Sequence, residues 1–449
     1  MTQYLRRMAG FGLMAGLLAV VPVAKLASEQ APPVTVPGID KPVVVVTEEV
    51  TGTESWVSAN YYVLRGAVFV RAGATLNIAP GTRIIGESGS VGTLIVERGG
   101  RLNAIGTAAA PIVFTSDQPI GQRGRGDWGG IIINGRARVN FAGGEVAGEG
   151  DTGNYGGTND NDNSGSLHYV RVEFSGVEFS PDNELNGIAF QAVGRGTSVH
   201  HVQAHMSRDD AMEWFGGTVD GKYMVMSNAA DDQVDWTFGW TGRLQFVAVT
   251  LRGDDGDNGI EGDNNEFNNE VLPRSHPQIY NITLCGDSDT SEGGESVRAA
   301  NIRRGTTFTI RNFLVTGFKT TGFQISDAAT LAQVNNGVSQ MGAGVAWNIR
   351  NSTTGVAGVA MHSSVTPFIT SGRFPNVRLD VDPGVSTTGC SNHANPNFQP
   401  SGIATLAGGQ LAPIQPPNDG FFDAVTFIGA VPPAPSANWM DGWTSFPQN

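Results

Sequence analysis

From Val43 onward the chain alternates short apolar runs with glycine turns. Ala67-Val68-Phe69-Val70, Thr75-Leu76-Asn77-Ile78, Thr82-Arg83-Ile84-Ile85, Thr93-Leu94-Ile95-Val96 and Pro111-Ile112-Val113-Phe114-Thr115 are all four or five residues long. Runs this short, rich in β-branched residues and punctuated by glycine, predict strands rather than helices. Further strand-like runs follow at Leu167 to Phe174, Val199 to Met206, Lys222 to Met226, Arg243 to Thr250, Gln278 to Leu284 and Thr306 to Phe313. The fragments LNIAPGTRIIGESGSVGTLIVERGG and LNAIGTAAAPIVFTSD read as consecutive copies of strand, turn and strand.

A second repeat lies between Ser207 and Asn265. Asp209-Asp210-Ala211-Met212-Glu213 returns as Asp231-Asp232-Gln233-Val234-Asp235 and as Asp257-Asn258-Gly259-Ile260-Glu261, at spacings of 22 and 26 residues, with a weaker copy at Glu184-Leu185-Asn186-Gly187-Ile188. Such periods mean a solenoid, and with strand-like units they predict an all-β, right-handed parallel β-helix with coils of about 22–26 residues. Antiparallel hairpins compete, but they need Asn-Gly-type turns, and only Asn134-Gly135 fits.

The organisation expected is a signal peptide at 1–27, a proline-rich linker at 28–42, the β-helix at 43–330 with a Gly/Asn/Asp loop projecting at 141–166, and an irregular cap at 331–449. Arg6 and Arg7 precede an apolar stretch, Gly10 to Val23, that is too short for a stable membrane span. No later run is apolar enough to be a transmembrane helix. The expectation is a protein secreted to the cell surface or the medium, with the periplasm as the alternative. The C-terminal segment either caps the open end of the solenoid or packs along its side, because an uncapped end is an exposed sheet edge. Cys285 and Cys390, the two cysteines present, can pair in an oxidising compartment; two buried free thiols are the alternative.

Charge narrows the partners. With 42 acidic against 28 basic residues the net charge is −14, which disfavours nucleic acid and favours cations or plain solubility.

The stretches GGRLNAIGTAAAPIVFTSD (99–117), GDWGGIIINGRA (126–137), the repeated acidic phrases and the terminal Phe-Asp…Gly-Trp-Thr (422–444) carry a resemblance. The sequence resembles right-handed parallel β-helix proteins, the architecture of pectate lyases and polygalacturonases. It is most similar to a group of exported or lipid-anchored β-helix proteins of Gram-negative bacteria that share no single activity. Asp209-Asp210 and Asp231-Asp232 are similar to the paired aspartates of the polygalacturonase-like enzymes, whose Gly-His-Gly and Arg-x-Lys steps have no counterpart downstream.

In a parallel coil, equivalent positions stack. Asp209, Asp231 and Asp257 then form one column, and Glu213, Asp235 and Glu261 a second. Carboxylates about 4.8 Å apart repel by roughly 3 to 4 kcal/mol at an effective dielectric of 20. Solvation, protonation, arginine or a bridging cation must relieve this, and calcium, with six to eight oxygen ligands, is the natural bridge. The expected metal-ligating residues are Asp209, Asp210, Glu213, Asp231, Asp232, Asp235, Asp257 and Glu261, with a second calcium loop at Asp160 and Asp162 in the D-x-D-x-S-G run. If the site is catalytic, Asp210 and Asp232 are the acid and base of a hydrolase, or Arg208 is the base of a calcium-dependent lyase. Trp214, Trp236 and Trp240 flank the phrases as candidate sugar-stacking rings, with core packing as the alternative reading. His200, His201 and His205 cluster beside the first phrase, with His201 one coil from Tyr223, which implies packing; a zinc site is the alternative, with nothing in the sequence to fix its geometry. The functional expectation is a non-catalytic calcium- and polysaccharide-binding surface protein. A polysaccharide-degrading hydrolase or lyase, or a structural, self-assembling subunit, remain the alternatives.

Overall fold

The computed structural model describes residues 40–180, 183–287, 293, 295–347, 361–379, 381–385, 387–400 and 411–449. The signal-peptide and most of the linker expectation therefore lie outside the described residues.

The chain winds as a parallel β-helix, the right-handed sense being that of parallel crossover connections. Each coil contributes one short strand to a nine-stranded sheet. To a second, fifteen-stranded sheet the first coils contribute two short strands each, such as Arg101–Ile105 and Ile112–Ser116, which from Gly165–Glu173 onward merge into one long strand per coil. The strands Met212–Phe215, Val234–Thr237 and Ile260–Gly262 belong to the short-strand sheet. Ser198–His205, Gly221–Ser227, Arg243–Thr250 and Gln278–Cys285 are long strands.

Every long strand bends once. The residue at the bend has positive φ on successive coils: Tyr169 (51°), His201 (53°), Tyr223 (58°), Phe246 (59°), Asn281 (58°), Asn312 (57°) and Ala343 (49°). Left-handed backbone is costly for a bulky residue, and here ring stacking offsets it. Tyr169, His201 and Tyr223 stack at 4.3 and 4.4 Å, and Tyr223 on Phe246 at 5.0 Å. The bend divides each long strand into two limbs, so a coil has three faces around one core.

The core follows from register. Positions facing inward on the short strands stack as Val96, Ile133, Phe190, Trp214 and Trp236, all 2 % exposed or less. The next place in this column is Gly262, where a Cβ would lie 2.2 Å from the Trp236 ring; Trp236 fills the room of two coils, so only glycine fits.

The coils continue past 330, through Gln340–Trp347, which pairs with Thr309–Thr316. The expected end of the β-helix was too early because the helix Ala328–Asn335 interrupts the strand texture without ending the winding. The segment from Leu411 runs back along the bend column. Asn312 and Asn281 donate to Ile414 and Phe427 carbonyls at 2.9 and 3.0 Å, and Ser445 N–H donates to Gln203. It therefore covers a side of the solenoid, the second of the two placements expected. Cys285 and Cys390 form the disulfide that ties this region to the coils.

The 141–166 loop does not project. Its hairpin, Glu145–Ala147 against Asn154–Gly156, lies over the outer face of the short-strand sheet and buries Tyr155 to 2 % exposure. Tyr155, with Phe141 packed against the same cluster, anchors a segment whose composition is otherwise mostly Gly, Asn and Asp.

Candidate acidic cleft

The outer face of the short strands carries one column through the whole molecule. In order along the coils it reads Phe69, Ile95, Ile132, Ala189, Glu213, Asp235, Glu261, Asn301 and Gln324. The first part is apolar because the 145–156 hairpin packs on it. Beyond the hairpin's edge the column becomes acidic, and then turns to amides. The structure brings Glu213, Asp235 and Glu261 into direct register.

A parallel column is built from the turn before each short strand. Asn186 Oδ1 accepts the Asp210 N–H (3.2 Å), Asp210 Oδ1 accepts the Asp232 N–H (2.9 Å), and Asp232 Oδ1 accepts the Asn258 N–H (2.7 Å). Each side chain thus holds the backbone of the next coil, which explains an Asp or Asn at every period. The weak copy at 184–188 enters one residue out of the register expected: Ile188 pairs with Met212, so Asn186 stands where Asp210 does. This ladder engages one oxygen of Asp210 and of Asp232.

The carboxylates of neighbouring coils also converge. Four groups of three carboxylates have ligand atoms within 4.8 Å of one another: Asp209, Asp210 and Asp231; Asp210, Glu213 and Asp235; Asp231, Asp232 and Asp257; and Asp232, Asp235 and Glu261. The second pair of groups is the first displaced by one coil. Asp235 Oδ1 is buried without a hydrogen-bond partner. Burial, reinforced by neighbouring carboxylates, holds Asp209, Asp210, Glu213, Asp232 and Asp235 protonated well above the usual carboxylate range. Glu149 and Glu184, from two insertions over the cleft, add to the negative field at Asp209.

The other end of the cleft is compensated. Arg303 pairs with Glu261 and with Asp263 (2.9 Å), Arg304 with Asp263 (2.6 Å), and Arg298 with Asp257 (3.6 Å). The cleft is therefore graded, from amide-held carboxylates at the coil of Asp209, where Asn186 Nδ2 donates to Glu213 (2.7 Å), to guanidinium-paired ones at the coil of Glu261. Arg303→Met leaves Glu261 buried without its guanidinium and Asp263 with Arg304 alone. The expected cost is about 3 kcal/mol, read as a lower denaturation midpoint. A variant as stable as the parent contradicts the pairing.

Three groups of sequence candidates land elsewhere. Trp214, Trp236 and Trp240 are inside the solenoid at 2, 0 and 0 % exposure, with the Trp236 indole donating to Thr306 Oγ1 (3.0 Å) and Trp240 to the Val219 carbonyl (3.2 Å). They present no face to a sugar: alternation on the short strands turns Trp214 and Trp236 inward while it turns the carboxylates out, and Trp240, in the turn after Val234–Thr237, stacks on Trp214 at 4.8 Å. Asp160 pairs with Arg138, and Asp162 accepts the Arg136 N–H at 2.9 Å. These carboxylates fasten the loop to the coil. Arg208 is exposed, and its Cβ lies 3.3 Å from the place a Gly126 Cβ would take.

Sequence reasoning missed Asp263, Arg303 and Arg304. The Arg303-Arg304 pair sits 40 residues after Asp263, and the insertion between Gly286 and Val297 hides that this is one coil. Only the strand pairing reveals it: Glu261 stands opposite Asn301, in a segment (VRAAN, 297–301) that carries no copy of the acidic phrase.

A family model described as a pectate-lyase-like beta helix domain matches residues 46–373. Nothing matches among curated proteins or among solved structures.

Proposed function

Since the chain belongs to the pectate-lyase-like β-helix family, which suggests a polysaccharide-related function, we propose that the acidic cleft binds calcium and that the protein uses it, without catalysing a reaction, to hold a polysaccharide outside the cell. The observation that carries the reading is the orphaned, buried Asp235 Oδ1 within converging carboxylates. An oxygen-only, anionic donor set in irregular geometry suits calcium rather than a transition metal. Bound there, the ion would neutralise charge that the fold otherwise holds by protonation. Glu213 and Asp235 would supply ligands from the strands, and Asp209, Asp210, Asp231 and Asp232 from the turns. Export to the surface or medium belongs to the same proposal. No helix among the described residues is long and apolar enough to cross a membrane.

The catalytic reading has one observation in its favour, the raised carboxylates, since perturbed groups gather at reaction sites. Against it, Asp210 and Asp232 each spend an oxygen on the coil-to-coil ladder. The cleft's bases, Arg298, Arg303 and Arg304, are paired with carboxylates.

The test combines binding and turnover. Isothermal titration should show calcium uptake that weakens at least about 10-fold in Asp235→Asn, a loss on the scale expected for metal-site changes. Acidic and neutral polysaccharides incubated with calcium-loaded protein should be retained without new reducing ends or unsaturated products. Heat-free calcium titrations would sink the metal site only if melting is also indifferent to calcium. Product formation abolished by Asp232→Asn would replace the binding reading with the enzymatic one.

A further inference from the structure

A second cluster of ligating side chains lies away from the acidic cleft, at the bend of the long strands. His200 and His201 are neighbours in sequence, and in an extended strand their rings would face opposite sides. The φ of 53° at His201 turns the chain so that both rings lie outside the core, with their Nδ1 atoms 3.0 Å apart. Both line a groove of about 480 Å³ whose other walls include Ser198, Lys222, Tyr223 and Phe421.

Neighbouring rings fix this geometry. His201 is sandwiched between Tyr169 and Tyr223 at 4.3 and 4.4 Å. His200 stacks on His168 at 3.8 Å, and His168 is itself held by Ser198 Oγ at 2.8 Å. Burial pushes both the His200 and His201 imidazoles down to about 4, so they are uncharged at neutral pH, the form that ligates metals. Two uncharged imidazoles meeting through the same nitrogen share a single proton; a metal that displaces it would sit to one side of the line between the two nitrogens.

The spacing selects the metal. With metal–nitrogen bonds of about 2.0–2.1 Å, nitrogens 3.0 Å apart subtend an angle of roughly 90–95° at the ion. That is the right angle of tetragonal copper(II) or nickel(II), below the tetrahedral angle of structural zinc. We propose that His200 and His201 form a two-nitrogen site for copper(II), with the remaining coordination positions open to the groove beside Lys222 and Phe421. Nickel(II) binds the same pair more weakly, following the general order of divalent affinities. The site is chemically orthogonal to the oxygen-only cleft.

Copper(II) titrated at pH 7 into the whole protein tests this, followed by electron paramagnetic resonance. One copper per chain is expected, with hyperfine structure from two nitrogens. His201→Phe keeps a ring between Tyr169 and Tyr223 but removes the ligand, and His200→Phe removes the other. Each should weaken copper binding by about 100-fold, the upper end of metal-site losses, with the melting midpoint and the response to calcium unchanged. Equal uptake by parent and both variants, or a spectrum with oxygen ligands alone, overturns the proposal. So does an absence of binding, which would leave the pair sharing a proton only.

Discussion

In chelator, the melting midpoint is expected to fall as pH rises from 6.5 to 8.5, and saturating calcium is expected to abolish the fall. The sign follows from the carboxylates of the cleft. Asp209, Asp210, Glu213, Asp232 and Asp235 keep their protons in the folded protein at pH values where the unfolded chain has lost them. A group raised in this way contributes stability that is complete below its unfolded value, near 4, and is lost as pH climbs through the folded one. Below about pH 6.5 the slope has an opposite contribution. His200, His201 and His205 are pushed down to about 4, by burial above all, so their stability is present above 6.5 and lost as pH falls. The interval from 6.5 to 8.5 isolates the carboxylates. Calcium at 100 times its Kd adds about 2.7 kcal/mol, about 3 °C for a chain of this size. Asp235→Asn should raise the midpoint in chelator at pH 8.5 and shrink the calcium shift. Differential scanning calorimetry over a pH series reads all of this. A flat profile with no calcium response would mean that solvent alone relieves the repulsion.

Replacing Cys285 and Cys390 by serine should cost about 4.7 kcal/mol, the loop-entropy value for a closed loop of about 105 residues. The bridge sits where the C-terminal region meets the solenoid, beside the hydrogen bonds from Thr250 Oγ1 to the Cys390 carbonyl (2.9 Å) and from Ser391 Oγ to the Gly286 carbonyl (2.9 Å). Downstream, the returning segment lays Phe427 on Phe246 at 5.9 Å and Trp443 against His201 and Tyr169. The double serine variant should melt lower and expose Trp439 and Trp443, seen as red-shifted tryptophan emission before the coils unfold. Unchanged melting and emission would mean that packing alone holds the segment.

These expectations show how differently the parts of the molecule were written into the chain. The periods of 22 and 26 residues gave the coil register at Met212, Val234 and Ile260 correctly, because parallel stacking converts sequence distance directly into spatial neighbourhood. The 24-residue step to Ile188 was misread by one, because Asn186 replaces an aspartate and Glu184 offered a false match. The candidate tryptophans were misplaced for a related reason: adjacency to an acidic phrase is not orientation, and strand alternation sends Trp214 inward where Glu213 points outward.

By itself the sequence determined the repeat, the all-β winding and the carboxylate columns, all consequences of local period and of the fixed distance between coils. Only the tertiary structure decided which carboxylate oxygens the backbone consumes, where Arg303 and Arg304 close one end of the cleft, and that the C-terminal segment covers a side of the solenoid. Those outcomes depend on contacts between residues dozens to hundreds apart, across insertions of irregular length. Burial and partner geometry there are set by packing, which no local period encodes.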